Sequence, residues 1–138
     1  MHTEEEYVQI ARSLNERGYN CAQSVACAFL DQVDMDEKTL FAILEGFGGG
    51  MGGRLATCGA VSGAVAIVSL LSSKGDVTSG TKAATYASVE PIVADFLLQN
   101  KSLVCEDLRG LKTGVALRSC DLCIEDAVRL TMKVLPYK

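Results

Sequence analysis

Six cysteines against a single histidine set the chemistry open to this chain. A thiolate attacks disulfides and binds soft metals, and either role needs a neighbourhood that holds its charge. His2 lies at the very start of the chain, so Cys-His nucleophilic catalysis and mixed Cys/His zinc sites lack their second partner. Any reactive group must therefore be built almost wholly from sulfur. Four cysteines fall where helices are expected to begin: Cys21 after Asn20, Cys58 after a glycine-rich stretch, Cys105 in the first turns of a short helix, and Cys120 after Ser119. Unpaired N–H groups and the positive end of the helix macrodipole favour a thiolate at such places and lower its pKa. Four helix starts could converge on one anionic site, as helix N-termini converge on a phosphate. Cys27, between two alanines, and Cys123 fall inside helices, where a cysteine commonly packs as a small hydrophobe. Cys120-Asp121-Leu122-Cys123 has the Cys-x-x-Cys spacing of a redox dithiol, but without the βαβ surroundings of a thioredoxin-like domain. A zinc ribbon needs two such pairs, and there is one.

The elements that must position these residues read as helical throughout. Thr3 with Glu6 makes a capping-box pattern ahead of Tyr7, Ala11 and Leu14, and Gly18 stops that helix. Asn20 with Gln23 opens a second, carrying Ala22, Val25, Ala26, Phe29, Leu30 and Val33 at three-and-four spacing. Asp34 or Asp36 caps a third through Leu40, Phe41, Leu44 and Phe47. From Gly46 to Gly53, six glycines in eight positions predict a loop, because helix interiors lose about 1 kcal/mol per glycine. Cys58 to Ser72 is apolar nearly all round, the pattern of a buried central helix. A long helix follows over residues 79–100 through Tyr86, Val89, Ile92, Val93, Phe96 and Leu97, with Pro91 bending or breaking it. A short helix over 103–109 ends at Gly110. The last starts at Ser119, runs through Ile124, Ala127, Leu130 and Leu135, and stops at Pro136. The expectation is an all-α fold, a single domain over 1–138 formed by one bundle of five to seven helices around a central helix at about 58–72.

Bulk properties narrow the function classes. In 138 residues, 49% are apolar, 22% are charged and the net charge is −4. That excludes an intrinsically disordered chain, and the acidic balance with no basic cluster argues against nucleic-acid binding. Six cysteines fall well below the roughly 8–10% that marks a disulfide scaffold. The acidic opening Met-His-Thr-Glu-Glu-Glu is unlike a secretory signal, and no apolar run approaches the roughly 20 residues that cross a bilayer. The chain reads as cytoplasmic, a compartment in which thiols stay reduced.

The glycines add two readings. Gly48-x-Gly50-x-x-Gly53 fits a dinucleotide fingerprint literally, but no strand precedes it, so no nucleotide is expected. Instead the bare backbone N–H groups of Gly49, Gly50, Gly52 and Gly53 could donate to a thiolate or sulfide cluster, with Arg54 adding positive charge. Gly59 and Gly63, four apart, leave one helix face bare for a cofactor, another helix, or a second copy of the chain in a homodimer.

Asn20-Cys21-Ala22-Gln23-Ser24-Val25, Gly46-Phe47-Gly48-Gly49-Gly50-Met51-Gly52, Cys58-Gly59-Ala60-Val61-Ser62-Gly63, one later cysteine and a last one ahead of Glu125-Asp126-Ala127 together resemble the C_GCAxxG_C_C family. The likeness spans about Tyr19 to Leu135. It implies a small protein with four signature cysteines, suspected of redox activity, often encoded near transporters and of no settled function. A similar module occurs in split-Soret cytochrome c beside an iron–sulfur centre. This chain has no haem-attachment Cys-x-x-Cys-His, so no haem is expected. Carried over, the signature cysteines are Cys21, Cys58, Cys105 and Cys120, with Cys27 and Cys123 as additions; the doubling at Cys120 and Cys123 leaves the fourth assignment open.

Three functions compete. In the first, Cys21, Cys58, Cys105 and Cys120 ligate an iron–sulfur cluster, or alternatively zinc, for electron transfer or redox sensing. In the second, a metal-free thiol oxidoreductase, Cys58 attacks a substrate and Cys105, Cys120 or Cys123 resolves the disulfide. In the third, a helical binding or assembly module, the cysteines only pack. The redox partner is not written in the sequence.

Overall fold

Both capping boxes form. The Thr3 hydroxyl accepts from the Glu6 N–H at 3.2 Å while the Glu6 carboxylate accepts from the Thr3 N–H at 2.9 Å, and Asn20 and Gln23 exchange the same pair of bonds at 2.9 Å each. Asp36, rather than Asp34, caps the third helix by accepting from the Thr39 N–H at 2.9 Å. The computed structural model describes residues 1–135, so Pro136, expected to stop the last helix, lies outside the described residues. Among the described residues seven α-helices follow one another: α1 (Glu4–Glu16), α2 (Cys21–Ala28), α3 (Glu37–Glu45), α4 (Gly59–Ser72), α5 (Lys82–Asn100), α6 (Cys105–Arg109) and α7 (Cys120–Val134). Among the described residues there is no sheet, only an isolated antiparallel bridge between Thr57 and Val104. No helix among them is long and apolar enough to cross a membrane.

The architecture is the all-α bundle that the periodicity predicts, with α4 at its centre. Helices α2, α5 and α7 pack against α4, and α1 closes the far side by packing on α2 and α7. Ala60, Val61, Ala64, Ile67 and Val68 of α4 join Tyr7, Phe29, Leu40, Ile92, Phe96 and Ile124 in one core cluster. Gly63 explains how close α2 comes: a Cβ built there would stand 2.4 Å from the Ala22 carbonyl oxygen. Cover is incomplete on one face, where Ser62, Val65, Ala66 and Ser69 border an apolar groove of about 420 Å³ shared with Ile43, Phe47 and Met51.

Three local expectations change. The glycine run is not an open loop; it winds into a wide π-type turn over Gly50–Arg54, with Gly49, Gly50, Met51 and Gly52 at φ of 61° to 89°. Glycine relieves the left-handed strain at three of those four positions, and Met51 adopts it with a side chain. Helix α5 starts at Lys82 and continues unbroken through Pro91. Its buried face is narrower than the apolar pattern: Ile92 and Phe96 are buried while Tyr86 and Leu97 are exposed, because it packs chiefly against α4 and α7.

Candidate functional site

The cysteines that open helices are held by local structure. Cys21 is the first residue of α2 behind its Asn20 cap. Cys58 occupies the N-cap position of α4, Cys105 begins α6, and Cys120 begins α7 behind Ser119. Ser119 has the extended backbone of an N-cap but makes no side-chain cap bond; its hydroxyl instead favours the charged form of Asp121. The bridge around Thr57 and Val104 joins two of these sites. The Cys58 N–H donates to the Leu103 carbonyl at 2.7 Å, and the Cys105 N–H donates to the Ala56 carbonyl at 3.0 Å. Ala56 is anchored in turn to the glycine turn through the Gly50 carbonyl at 3.2 Å.

Cys21, Cys58, Cys105, Cys120 and Cys123 line one cavity together with Leu108, Arg109 and Arg118. Its volume is about 10 Å³, room for about one water. All six cysteines are free thiols. Cys58, Cys105 and Cys123 are buried, Cys21 is half-buried and Cys120 is exposed. Cys27 is away from the cavity, packed in the core, where burial and then Glu37 push its thiol up to about 11.

The electrostatics of the five differ sharply. The Cys58 thiol is lowered to about 7, first by a hydrogen bond from the Cys123 thiol and then, against its burial, by the Ala60 and Val61 N–H groups at the start of α4. The Cys123 thiol is correspondingly pushed up, because it is the donor in that bond, because it is buried, and because Cys58, Cys120 and Asp126 crowd it with negative charge. Burial raises Cys21 in spite of the Gly49 N–H aimed at its sulfur. Burial also raises Cys105, reinforced by charge on Cys58 and Cys21 and only partly opposed by Arg109. Helix starts therefore do not lower the thiols as a set: at Cys21 and Cys105 desolvation outweighs the helix terminus, and Cys58 escapes because a second thiol supplies the missing donor.

The expected iron–sulfur or zinc site at Cys21, Cys58, Cys105 and Cys120 is overturned. Among the described residues no group of three or more His, Cys, Asp or Glu side chains is arranged to hold a metal ion. A tetrahedral thiolate site needs four sulfurs about 2.3 Å from one point. Sharing a cavity of about 10 Å³ does not by itself give such a ligand shell.

The glycines divide by position. Gly49 faces Cys21 through its N–H, and a Cβ at Gly50 would stand 2.6 Å from the Cys105 Cβ. A Cβ built at Gly52 or Gly53 would meet nothing within 4 Å, and both residues, with Arg54, are exposed. The face of Gly59 and Gly63 is taken up by α2, where a Cβ at either position would stand within 3.2 Å of Ala22 backbone atoms, so of the occupants the sequence left open for it, another helix is the one that packs there. Sequence reasoning also missed the cavity's basic wall. Arg118 donates from Nε and Nη2 to the two oxygens of Asp126 at 3.0 Å each, and Asn100 donates to the same carboxylate at 3.2 Å. An Arg eight residues ahead of an Asp has no helical periodicity to reveal the pairing, because a loop lies before α7.

No curated protein and no solved structure matches the chain. Residues 19–134 match the family model described as "Putative redox-active protein (C_GCAxxG_C_C)". That match takes in every cysteine and all but the first helix, and this chain belongs to the C_GCAxxG_C_C family.

Proposed function

We propose that this protein performs metal-free thiol–disulfide exchange, with Cys58 and Cys123 as its dithiol. The observation that carries the reading is that Cys58, at the start of α4, and Cys123 of α7 are both buried and line the same small cavity, with the Cys58 thiol lowered to about 7. It puts a ready thiolate and its resolving thiol side by side. Oxidation joins the two sulfurs: the Cys58 thiolate and the Cys123 thiol give up two electrons and the Cys123 proton, and an external disulfide becomes two thiols, its second proton coming from solvent. The Ala60 and Val61 N–H groups hold the charge on Cys58 before the bond forms, and burial keeps oxidants larger than about one water from reaching it directly. The Cys105 and Cys21 thiols, held neutral by burial, do not compete for the charge. Membership in a family described as redox-active is consistent with this chemistry.

The test is equilibration of the purified protein in defined thiol–disulfide buffers, with each cysteine pair mapped by mass spectrometry. A Cys58–Cys123 disulfide that forms and is reduced reversibly between about −300 and −120 mV, the span of cellular dithiol carriers, supports the reading. Absence of that disulfide across the whole span sinks it.

A further inference from the structure

The proposed dithiol is buried. Cys58 is 6% exposed and Cys123 is 2% exposed, so a disulfide-bearing molecule larger than a water has no direct approach to either sulfur. Cys120 is exposed, yet it lines the same small cavity as both of them. It also stands three residues before Cys123 on α7, and residues three apart on a helix are neighbours on its surface. One cysteine thus meets solvent while sharing a cavity with the buried pair.

We infer that Cys120 is the exchange port of the protein: it forms the mixed disulfide with an external disulfide, and the oxidation is then relayed inward through Cys123 to Cys58. This rests on the reading of Cys58 and Cys123 as the dithiol. In the first step the Cys120 thiolate attacks one sulfur of the external disulfide RSSR, forming Cys120–S–S–R and releasing RS⁻, which takes a proton from water. In the second, Cys123 passes its proton to the Cys58 thiolate across the shared cavity and attacks the Cys120 sulfur, expelling the second RS⁻. In the third, Cys58 loses that proton and its thiolate attacks the Cys123 sulfur, returning Cys120 as a free thiol. The sum is RSSR plus two thiols giving 2 RSH plus the Cys58–Cys123 disulfide, with two electrons and two protons moved outward and Cys120 regenerated. Reduction runs the same steps backwards.

Two oxidants separate the port from the pair. Hydrogen peroxide is close to water in size and oxidises the buried pair without a port, while glutathione disulfide is far too large to enter the cavity. In the Cys120→Ser variant, the Cys58–Cys123 disulfide is expected to form with peroxide within about twofold of the wild-type rate, and with glutathione disulfide at least about tenfold more slowly, since exchange rates follow access to the attacked sulfur. In the Cys123→Ser variant, the glutathione adduct is expected on Cys120. Equal rates with glutathione disulfide in wild type and Cys120→Ser, or an adduct on Cys58 in Cys123→Ser, overturn the port while leaving the dithiol standing. Failure of peroxide to produce a Cys58–Cys123 disulfide in the wild type instead removes the dithiol itself.

Discussion

At Cys58 a buried sulfur keeps its charge because another cysteine donates to it. The bond from Cys123 is the largest single cause of the lowered Cys58 pKa, ahead of the two N–H groups of α4. Alkylation of Cys58 in the wild type should therefore follow a thiolate that is half-formed near pH 7. Removing the donor in Cys123→Ala leaves burial opposed only by Ala60 and Val61, so the midpoint must move upward and reactivity at neutral pH must fall. Peptide mass spectrometry after brief iodoacetamide pulses across pH 6 to 10 reads this directly, and an unmoved midpoint would show that the bond has no such effect. Cys123 was legible as the second half of a Cys-x-x-Cys and as one of three candidates to resolve Cys58, but nothing local chose among the three. Spacing pairs it with Cys120, three residues away, whereas the hydrogen bond goes to Cys58, brought in by the packing of α4 against α7.

Helix packing sets how far each element can move, and Gly63 is the tightest point between α2 and α4. Alanine there gains up to about 1 kcal/mol of helix propensity but drives a Cβ to 2.4 Å from the Ala22 carbonyl oxygen. Overpacking of that kind costs about 1–3 kcal/mol, and backbone atoms yield less readily than a side-chain end. Gly63→Ala should thus be net destabilised in urea unfolding, whereas Gly53→Ala, which meets nothing within 4 Å, should stay within about 0.5 kcal/mol of wild type. Stability in Gly63→Ala equal to that of Gly53→Ala would mean that α2 can retreat freely. Helix starts such as Thr3 and Asn20 were readable because a capping box lies within four residues of sequence. The glycine turn was not, since the choice between an open loop and a wound left-handed turn is made by distant partners, Cys105 and Ala56 packing on Gly50. The four helix-start cysteines were likewise legible as positions, but their pKa values depend on burial, and no local pattern reports how much water the finished core excludes.

Across the whole molecule, the Cys58–Cys123 pair is a latent cross-link between the central helix and the last one. Helix α7 is already tied to α1 through Arg12 with Glu125 and Asp121 and through Arg129 with Glu4 and Glu5. Those ion pairs are at least partly solvent-exposed, and such pairs contribute about 0–1 kcal/mol each. A disulfide acts differently, because it restricts the unfolded chain. Closing a loop of about 65 residues removes conformational entropy worth roughly 4 kcal/mol at 25 °C on the chain-entropy model. The reduced thiols already line one small cavity between the packed helices, so forming the bond demands little rearrangement of α4 against α7. The oxidised protein should therefore melt several degrees above the reduced protein, and the difference should vanish in Cys58→Ser and in Cys123→Ser, with Cys27→Ser leaving it intact. Differential scanning calorimetry of the two redox forms measures this. Equal melting temperatures despite a mapped Cys58–Cys123 disulfide would mean that strain in the oxidised fold cancels the entropic gain, and that the two helices are not preset for the bond.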